Sequence, residues 1–241
     1  MEIVEKLDVL VCAAHPDDAE LGCGGTICKL TKQGKRVGIV DFTAGELGTR
    51  GTPETRQKEA AHSSQILGIQ IRENLQIPDG FFSQNEDSLL RAIQIIRKYQ
   101  PDILLVNAPE DRHPDHGNAA SFALRAAFLS GLPKIKTQST AWRPKNIVHY
   151  IQDRFLKPTF VVDISQEFTQ KMDAIKAFRS QFYDPNSAEP LTYISNPDFL
   201  HFIDARAREM GHLIGTTYGE GFIQTVPFEL STPLNILNSS N

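Results

Sequence analysis

Short apolar runs alternate with longer amphipathic stretches through the first half of the chain. This alternation is typical of successive βαβ units around a parallel sheet. It predicts four strands, at Leu7 to Ala14, Arg36 to Phe42, Ile71 to Ile77 and Asp102 to Asn107. We therefore expect an α/β fold, a single Rossmann-like domain over residues 1–241, with a mostly parallel central sheet flanked by helices. A tail from about residue 227 is expected to be irregular.

Residues that start and stop helices mark the segments between these strands. A first helix, from about Gly22 to Gln33, should end at Gly34, because glycine readily takes the left-handed conformation common at helix C-termini. A second helix has Thr52 as N-cap, Pro53 at its first position and Gly68 just past its end. These signals set the expected helix boundaries.

The second half of the chain predicts further helices and strands. A helix follows the fourth strand from about Gly117 to Leu129, and two strands cover Asn146 to Gln152 and Thr159 to Ile164. A 3.6-residue period predicts another helix with one buried stripe, formed by Phe168, Met172, Ile175, Phe178 and Phe182. A last helix should have Asn196 as cap and Pro197 at its first position, followed by the Gly-rich segment GTTYGEGF.

Composition and charge exclude several classes of protein. Of 241 residues, 40% are apolar and 22% are charged, which excludes a disordered or fibrous chain. The net charge is -4 and no predicted element gathers a basic stripe, so we expect no nucleic-acid partner. Glu2 and Glu5 stand where a signal peptide would be basic, and no apolar run approaches about 20 residues. We expect a cytoplasmic protein with no membrane anchor.

Three cysteines are too few, and wrongly spaced, for a disulfide framework. Cys12, Cys23 and Cys28 form an odd set without a CxxC pair. We expect buried free thiols rather than a thiolate zinc site.

The tripeptide His-Pro-Asp occurs twice, each time shortly after a predicted strand. HPDD covers His15 to Asp18 after the first strand, and HPDH covers His113 to His116 after the fourth. In open parallel sheets ligands bind beyond the carboxyl ends of the strands, where the strand order reverses. If the order is 3-2-1-4, as is common in such folds, the two motifs meet.

Imidazole and carboxylate groups together are ligands for Zn²⁺ or a similar ion, and a catalytic site needs three of them plus an open position. His15 and Asp18, three residues apart at a helix entry, can converge on one ion and leave Asp17 free for proton transfer. Either His113 or His116 can supply the third ligand. If both histidines bound the ion, four protein ligands would fill a tetrahedral site and leave no open position.

Other polar groups have simpler interpretations. The segment GCGGTI, from Gly22, lacks the third glycine of GxGxxG, so close packing of a helix start explains it better than a phosphate loop. Arg56 and Glu59 can form a solvated helix pair. The remaining histidines lack a motif and are interpreted as structural or surface residues: His62, His149, His201 and His212. A nucleotide-binding Rossmann module and a noncatalytic zinc-binding protein are the alternatives outside enzymes.

The two motifs resemble the signature of the PIG-L/LmbE-like family of zinc-dependent N-acetylglucosaminide deacetylases. AHPDDAE covers residues 14–20, and HPDH follows at residues 113–116. The segments DFTAGELGTRGTPETRQKEA, SQFY and YGEGF are most similar to the bacillithiol biosynthesis subgroup, which deacetylates N-acetylglucosaminyl malate. Alternatives within the family are deacetylases of other N-acetylglucosamine derivatives, of chitooligosaccharides or of mycothiol-type conjugates.

The resemblance also implies roles for individual residues. The implied zinc ligands are His15, Asp18 and His116. Asp17 would be the general base, and His113 would polarise the amide carbonyl with Asp115 orienting its ring. Arg56 matches an active-site arginine of the family. Arg112 would contact the malate carboxylates, because a guanidinium group can bind a carboxylate through two hydrogen bonds. The expected cofactor is Zn²⁺, although Fe²⁺, Co²⁺ or Mn²⁺ also suits these ligands. The family further implies a homo-oligomer, often a hexamer.

Overall fold

Seven strands form one sheet in the computed structural model, which describes residues 5–82 and 84–227. The strands are β1 (Val9–Ala13), β2 (Val37–Asp41), β3 (Ile71–Asn74), β4 (Ile103–Val106), β5 (Asn146–Tyr150), β6 (Phe160–Asp163) and β7 (Gly219–Ile223). The helices are α1 (Asp18–Lys32), α2 (Pro53–Leu67), α3 (Glu86–Tyr99), α4 (Pro114–Ser130), α5 (Phe168–Lys176) and α6 (Phe199–Leu213). The tail that the sequence predicts to be irregular falls, after residue 227, outside the residues that the structure describes.

The strand order is β3-β2-β1-β4-β5-β7-β6, and the first five strands are parallel. Strand β7 runs antiparallel to both β5 and β6. In the centre, Val9 of β1 lies opposite Val37 of β2 on one side and Ile103 of β4 on the other. The expected 3-2-1-4 order and the mostly parallel Rossmann-like sheet are therefore confirmed.

Both faces of the sheet are covered by helices, which explains why its central strands are almost wholly apolar. One core lies under α3 and α4 and includes Leu10, Val106 and Phe122. The other lies under α1 and α5 and includes Val11 and Ile27. In the described part of the chain, no helix has the length and apolar character needed to cross a membrane.

Most of the expected helix signals are present. The side chain of Thr52 accepts a hydrogen bond from the backbone N–H of Thr55, and Pro53 is the first residue of α2. Gly34 and Gly68 have φ values of 76° and 75°, the left-handed region in which glycine is least strained. The three cysteines are buried free thiols, as predicted.

Several predicted boundaries were wrong. Helix α1 begins at Asp18 and α4 at Pro114, each about one turn before the expected start, so each His-Pro-Asp motif leads directly into the first turn of a helix. Helix α6 begins at Phe199 rather than Pro197, because Asn196 forms a turn with Asp198 ahead of the helix.

The C-terminal half differs most from the prediction. Helix α5 ends at Lys176, although Phe178 and Phe182 still pack beside it in a third apolar cluster. The Gly-rich segment contains most of β7. The sequence did not predict this strand, because glycine is a poor strand former.

The glycines at the start of α1 allow close packing, as expected. A Cβ at Gly22 would collide with the ring of Tyr150 on β5, and one at Gly25 would lie 2.8 Å from Ile164 Cδ1. The glycines lie inside the helix, where they let it approach the sheet.

Candidate active site

The two His-Pro-Asp motifs meet beyond the carboxyl ends of β1 and β4. His15 follows β1, His113 is the N-cap of α4, and His116 lies in the first turn of α4. The ring centroids of His15 and His113 are 4.7 Å apart, those of His15 and His116 5.8 Å, and those of His113 and His116 5.3 Å. The adjacency of β1 and β4 thus brings three imidazoles from distant parts of the sequence together.

Asp18 links two of these imidazoles. Its Oδ1 lies 3.2 Å from His116 Nε2, and its Oδ2 lies 3.5 Å from His15 Nδ1. Two amides hold the carboxylate in place: Gln152 Nε2 donates to Oδ1 at 2.6 Å, and Asn107 Nδ2 donates to Oδ2 at 3.3 Å. Asp18, His15 and His116 therefore form a contiguous buried group.

Asp111 determines which nitrogen of His116 faces this group. His116 Nδ1 lies 2.8 Å from Asp111 Oδ2, so the proton on Nδ1 is donated to the carboxylate and Nε2 faces Asp18. Asp111 also accepts hydrogen bonds from the backbone N–H groups of Asp153 and Arg154. It therefore anchors the loop after β4 to the loop after β5.

His15 lies between carboxylates on both sides of its ring. Nε2 is 3.1 Å from Asp79 Oδ1 and 3.4 Å from Asp115 Oδ2, while Nδ1 faces Asp18. The carboxylate of Asp115 was expected to orient His113, but it lies against His15. The contact between Asp115 and His113 is made instead by the backbone, whose N–H donates to His113 Nδ1 at 3.3 Å. The N–H of Asp115 is free for this contact because the residue lies in the first turn of α4, where backbone N–H groups have no partner within the helix.

That backbone contact sets the proton position on His113. Burial lowers the pKa of His113, and positive charge on His15 and His116 lowers it further, which favours the neutral ring. Because Nδ1 accepts a hydrogen bond, the proton of the neutral ring lies on Nε2. His113 is thus prepared to donate one hydrogen bond from Nε2.

Asp17 takes a direction different from that of Asp18 because of its backbone. Its φ of 113° is in a region that non-glycine residues seldom occupy, and such strain is concentrated at functional sites. The carboxylate lies 3.3 Å from Arg56 Nη2, which also donates to the carbonyl of Pro16 at 2.5 Å. Burial raises the pKa of Asp17 to about 7, although the Arg56 guanidinium opposes the shift.

The electrostatics of the group favour added positive charge. Burial lowers the pKa of His116, but Asp18 and Asp111 outweigh it and raise the pKa to about 9. Burial likewise lowers the pKa of His15, yet hydrogen bonds to its carboxylate neighbours hold it well above the usual value. Burial raises the pKa of Asp18, but His116 and His15 bring it well below its usual range. The carboxylates thus stabilise a cation between them.

The donor atoms suit a divalent metal ion. His15, His113 and His116 each offer a ring nitrogen within 4.8 Å of the others, and His15, Asp79 and Asp115 form a second such group. Imidazole nitrogen with carboxylate oxygen is the ligand chemistry of Zn²⁺ and similar divalent ions. A bound metal would supply the positive charge that protonated imidazoles otherwise provide.

A cavity of about 350 Å³ opens onto these groups. Arg112 lines it, with Nε donating to Asp153 Oδ2 at 2.7 Å and the guanidinium 4.1 Å above the ring of Tyr193. Leu21 and Phe199 form an apolar part of the wall. A larger cavity of about 640 Å³ lies beyond β2 and β3, but its lining includes none of the clustered histidines. The smaller cavity is therefore the better candidate for the active site.

The histidines without a motif are placed as expected. His62, His201 and His212 are exposed, and His149 is a buried structural residue whose Nδ1 donates to the carbonyl of Asn107 at 2.8 Å. Glu59 does not pair with Arg56 as a solvated couple; it accepts hydrogen bonds from the N–H and hydroxyl of Ser180.

Four site residues were missed in the sequence: Asp79, Asn107, Asp111 and Gln152. Asn107 and Gln152 are polar residues at the ends of two predicted strands, and that position beside the switch point was a usable signal. Asp79 and Asp111 lie in loops after β3 and β4, where no local pattern distinguishes them from surface carboxylates.

A buried cluster of imidazoles and carboxylates beside a second buried carboxylate, at the switch point of a parallel sheet, is suited to metal-assisted chemistry such as hydrolysis. The sequence pattern of the family described as PIG-L, GlcNAc-PI de-N-acetylase, matches residues 10–128. The chain belongs to this family of N-acetylglucosaminide deacetylases.

Relatives of known name and structure match most of the chain. The diacetylchitobiose deacetylase of Thermococcus kodakarensis is 29% identical over 231 residues, covering 91% of this chain and 83% of the relative. A probable N-acetyl-alpha-D-glucosaminyl L-malate deacetylase 2 of Bacillus cereus is 31% identical, covering 72% and 83%. The crystal structure of the conserved protein TT1542 from Thermus thermophilus has a TM-score of 0.85 and 37% identity, covering 94% and 98%.

Asp111 is predicted to control metal affinity through His116. Asp111→Asn removes the carboxylate that fixes the His116 tautomer, and the loss of such partners weakens metal binding about 10- to 100-fold. Competition with a chromophoric chelator measures the Zn²⁺ dissociation constant. Asp204→Asn, which breaks an exposed pair with Arg208, is the control and should leave affinity unchanged. Equal affinities in wild type and Asp111→Asn would exclude this role.

Proposed function

We propose that this protein is a zinc-dependent deacetylase whose substrate is N-acetylglucosaminyl malate, as in bacillithiol biosynthesis. The observation that carries the proposal is the convergence of His15, Asp18 and His116, next to a buried carboxylate at Asp17 and a hydrogen-bond donor at His113. Metal-assisted hydrolysis of an unreactive amide uses this combination of metal ligands, base and carbonyl activation.

The proposed metal ligands are His15, Asp18 and His116. A bound Zn²⁺ would lower the pKa of water to about 7 and so supply a nucleophile at neutral pH. Gln152 and Asn107 keep the Asp18 carboxylate in place, and Asp111 binds Nδ1 of His116, so that Nε2 is the nitrogen directed at the proposed metal site. Three protein ligands leave room in the coordination sphere for substrate or water.

Asp17 is the proposed general base. Its raised pKa of about 7 allows it to accept a proton from the attacking water and return it to the departing amine near neutral pH. Arg56 holds the carboxylate through its contact at 3.3 Å. The left-handed backbone at Asp17 keeps this carboxylate out of the group formed by Asp18 and the histidines.

His113 is proposed to stabilise the amide oxygen as the carbonyl becomes tetrahedral. Its Nε2–H is available because Nδ1 accepts the N–H of Asp115. Such a donor matters most where charge develops in the transition state.

Arg112 is proposed to bind the malate carboxylates. The guanidinium lines the cavity and its side chain is 39% exposed, while Asp153 and Tyr193 hold it from one edge and one face. A guanidinium held in this way suits bidentate recognition of a carboxylate. A relative with the malate deacetylase name supports this substrate, and a relative named for diacetylchitobiose makes a chitooligosaccharide the alternative.

The division of labour between the adjacent carboxylates is testable by metal analysis. Asp17→Asn should retain Zn²⁺ and lose turnover, because the amide cannot accept the proton. Asp18→Ala should lose metal affinity, because it removes a ligand. Metal content of the purified variants and acetate release from an N-acetyl sugar are the two measurements. A metal-free or fully active Asp17→Asn would contradict the assignment.

Replacement of His113 tests the carbonyl-activating role. His113→Ala should lower kcat about 10²- to 10³-fold, a loss of about 3 to 4 kcal/mol, with a smaller effect on KM. Steady-state kinetics at saturating Zn²⁺ provide the values. The exposed His62→Ala is the control and should behave as wild type. Turnover by His113→Ala within a few fold of wild type would remove His113 from the mechanism.

Substrate preference is tested by assaying acetate release from N-acetylglucosaminyl malate, diacetylchitobiose and N-acetylglucosamine side by side. The malate compound should have the highest kcat/KM. Arg112→Gln should reduce that value about 10- to 100-fold, as expected for a lost hydrogen bond to a charged group, and should spare N-acetylglucosamine. Arg125→Gln on the exposed face of α4 is the control. Preference for diacetylchitobiose would support the alternative.

A further inference from the structure

Helix α1, which begins with Asp18, is interrupted after its first turn. Cys23 has φ of -144° and ψ of 22°, well outside helical values. In a regular helix, the N–H of Gly25 donates to the carbonyl of Leu21, four residues earlier. The interruption separates the first turn, residues 18–22, from the remainder of the helix.

Two charged side chains from the C-terminal half of the chain fill this interruption. Glu220 accepts the N–H of Gly25 at 2.9 Å and the N–H of Thr26 at 2.7 Å. Lys171 donates to the carbonyl of Leu21 at 2.9 Å and to Glu220 at 2.6 Å. The path from Gly25 through Glu220 and Lys171 to Leu21 joins the two residues that a regular helix would connect by one direct hydrogen bond.

This bridge is fully enclosed. Lys171 and Glu220 are each 3% exposed, and the Thr26 hydroxyl gives Glu220 a further hydrogen bond at 2.6 Å. The carboxylate also lies at the N-terminus of the second half of α1, where the helix dipole favours negative charge. A buried pair of this kind stabilises little beyond a well-packed apolar pair, so stability alone does not explain its presence.

The first turn of α1 holds the groups on which the site depends. The backbone N–H of Leu21 donates to the carbonyl of Asp17, so the atom that Lys171 binds belongs to the same turn as Asp17 and Asp18. Because helical geometry is interrupted at Cys23, the second half of α1 does not by itself determine where that turn lies. Side-chain contacts from outside the helix must do so.

We propose that Lys171 and Glu220 are positioning residues, which bridge the interruption in α1 and thereby set the places of the Asp18 ligand and the Asp17 base. The inference rests on the proposed metal-dependent deacetylase function. Neither residue touches the reacting groups. Their effect passes through the backbone of Leu21, Gly25 and Thr26.

The test compares metal affinity with stability in Glu220→Gln. An amide cannot match the carboxylate toward two N–H groups and an ammonium, so Zn²⁺ should bind about 10- to 100-fold more weakly, as for other lost supporting contacts. Chelator competition on the full-length protein gives the dissociation constant, under conditions where circular dichroism shows both proteins fully folded. Urea unfolding gives the stability.

Arg97→Met is the matched control. Arg97 is a buried charge that donates to the carbonyls of Ser130, Leu132 and Ile135, away from α1. The Arg97→Met variant should have a lower urea midpoint than the wild type and the same Zn²⁺ affinity. Equal affinity in wild type and folded Glu220→Gln would overturn the positioning role and reduce the bridge to a stabilising pair.

A milder change covers the case in which Glu220→Gln does not fold. Thr26→Val removes only the hydroxyl bond to Glu220 and should weaken Zn²⁺ binding by about tenfold, the lower end of the same range. Unchanged affinity in folded Thr26→Val would also overturn the proposal. Failure of the wild type to bind Zn²⁺ or to release acetate would instead refute the proposed function, so the two failures are distinguishable.

Discussion

The pairing of β1 with β4 is the constraint on which the site depends. Parallel pairing brings the carboxyl ends of the two strands to one edge, and the strand order reverses between them. The segments that follow these strands carry His15 on one side and His113 and His116 on the other. Apolar residues on both faces of the sheet enforce the pairing, because the central strands can be buried only between two helical layers. The hydrophobic core thus decides which polar groups meet.

Once these groups meet, burial makes their charges interdependent. The carboxylates around His15 and His116 favour positive charge on the two rings, and they therefore raise the pKa of both. Asp17 experiences the opposite balance, since burial raises its pKa and Arg56 only partly opposes the shift. One buried pocket therefore favours positive charge at the histidines and, beside them, a carboxyl group whose pKa is raised. The unusual backbone of Asp17 sets its carboxylate apart from that of Asp18, although the two residues are adjacent in the sequence.

Support for the site comes from the whole chain rather than from the two motifs. Asp111 connects His116 to the loop after β5, and Gln152 at that same loop holds Asp18. Helix α5 and strand β7 reach the first turn of α1 through Lys171 and Glu220. The two motifs are therefore held by partners spread over the whole chain, and relatives match most of its length.

The sequence by itself determined the alternation of strands and helices, the main helix caps and the positions of the candidate ligands, because these depend on local periodicity and backbone preference. It also justified expecting the two motifs at neighbouring strand ends, through the regularity of parallel sheets. Tertiary structure alone decided that Asp115 faces His15, that Asp111 orients His116, and that β7 completes the sheet. Those outcomes depend on contacts between residues far apart in the chain and on side-chain directions, which no local pattern encodes. The interruption in α1 belongs to the same group, since its replacement partners come from the opposite end of the sequence.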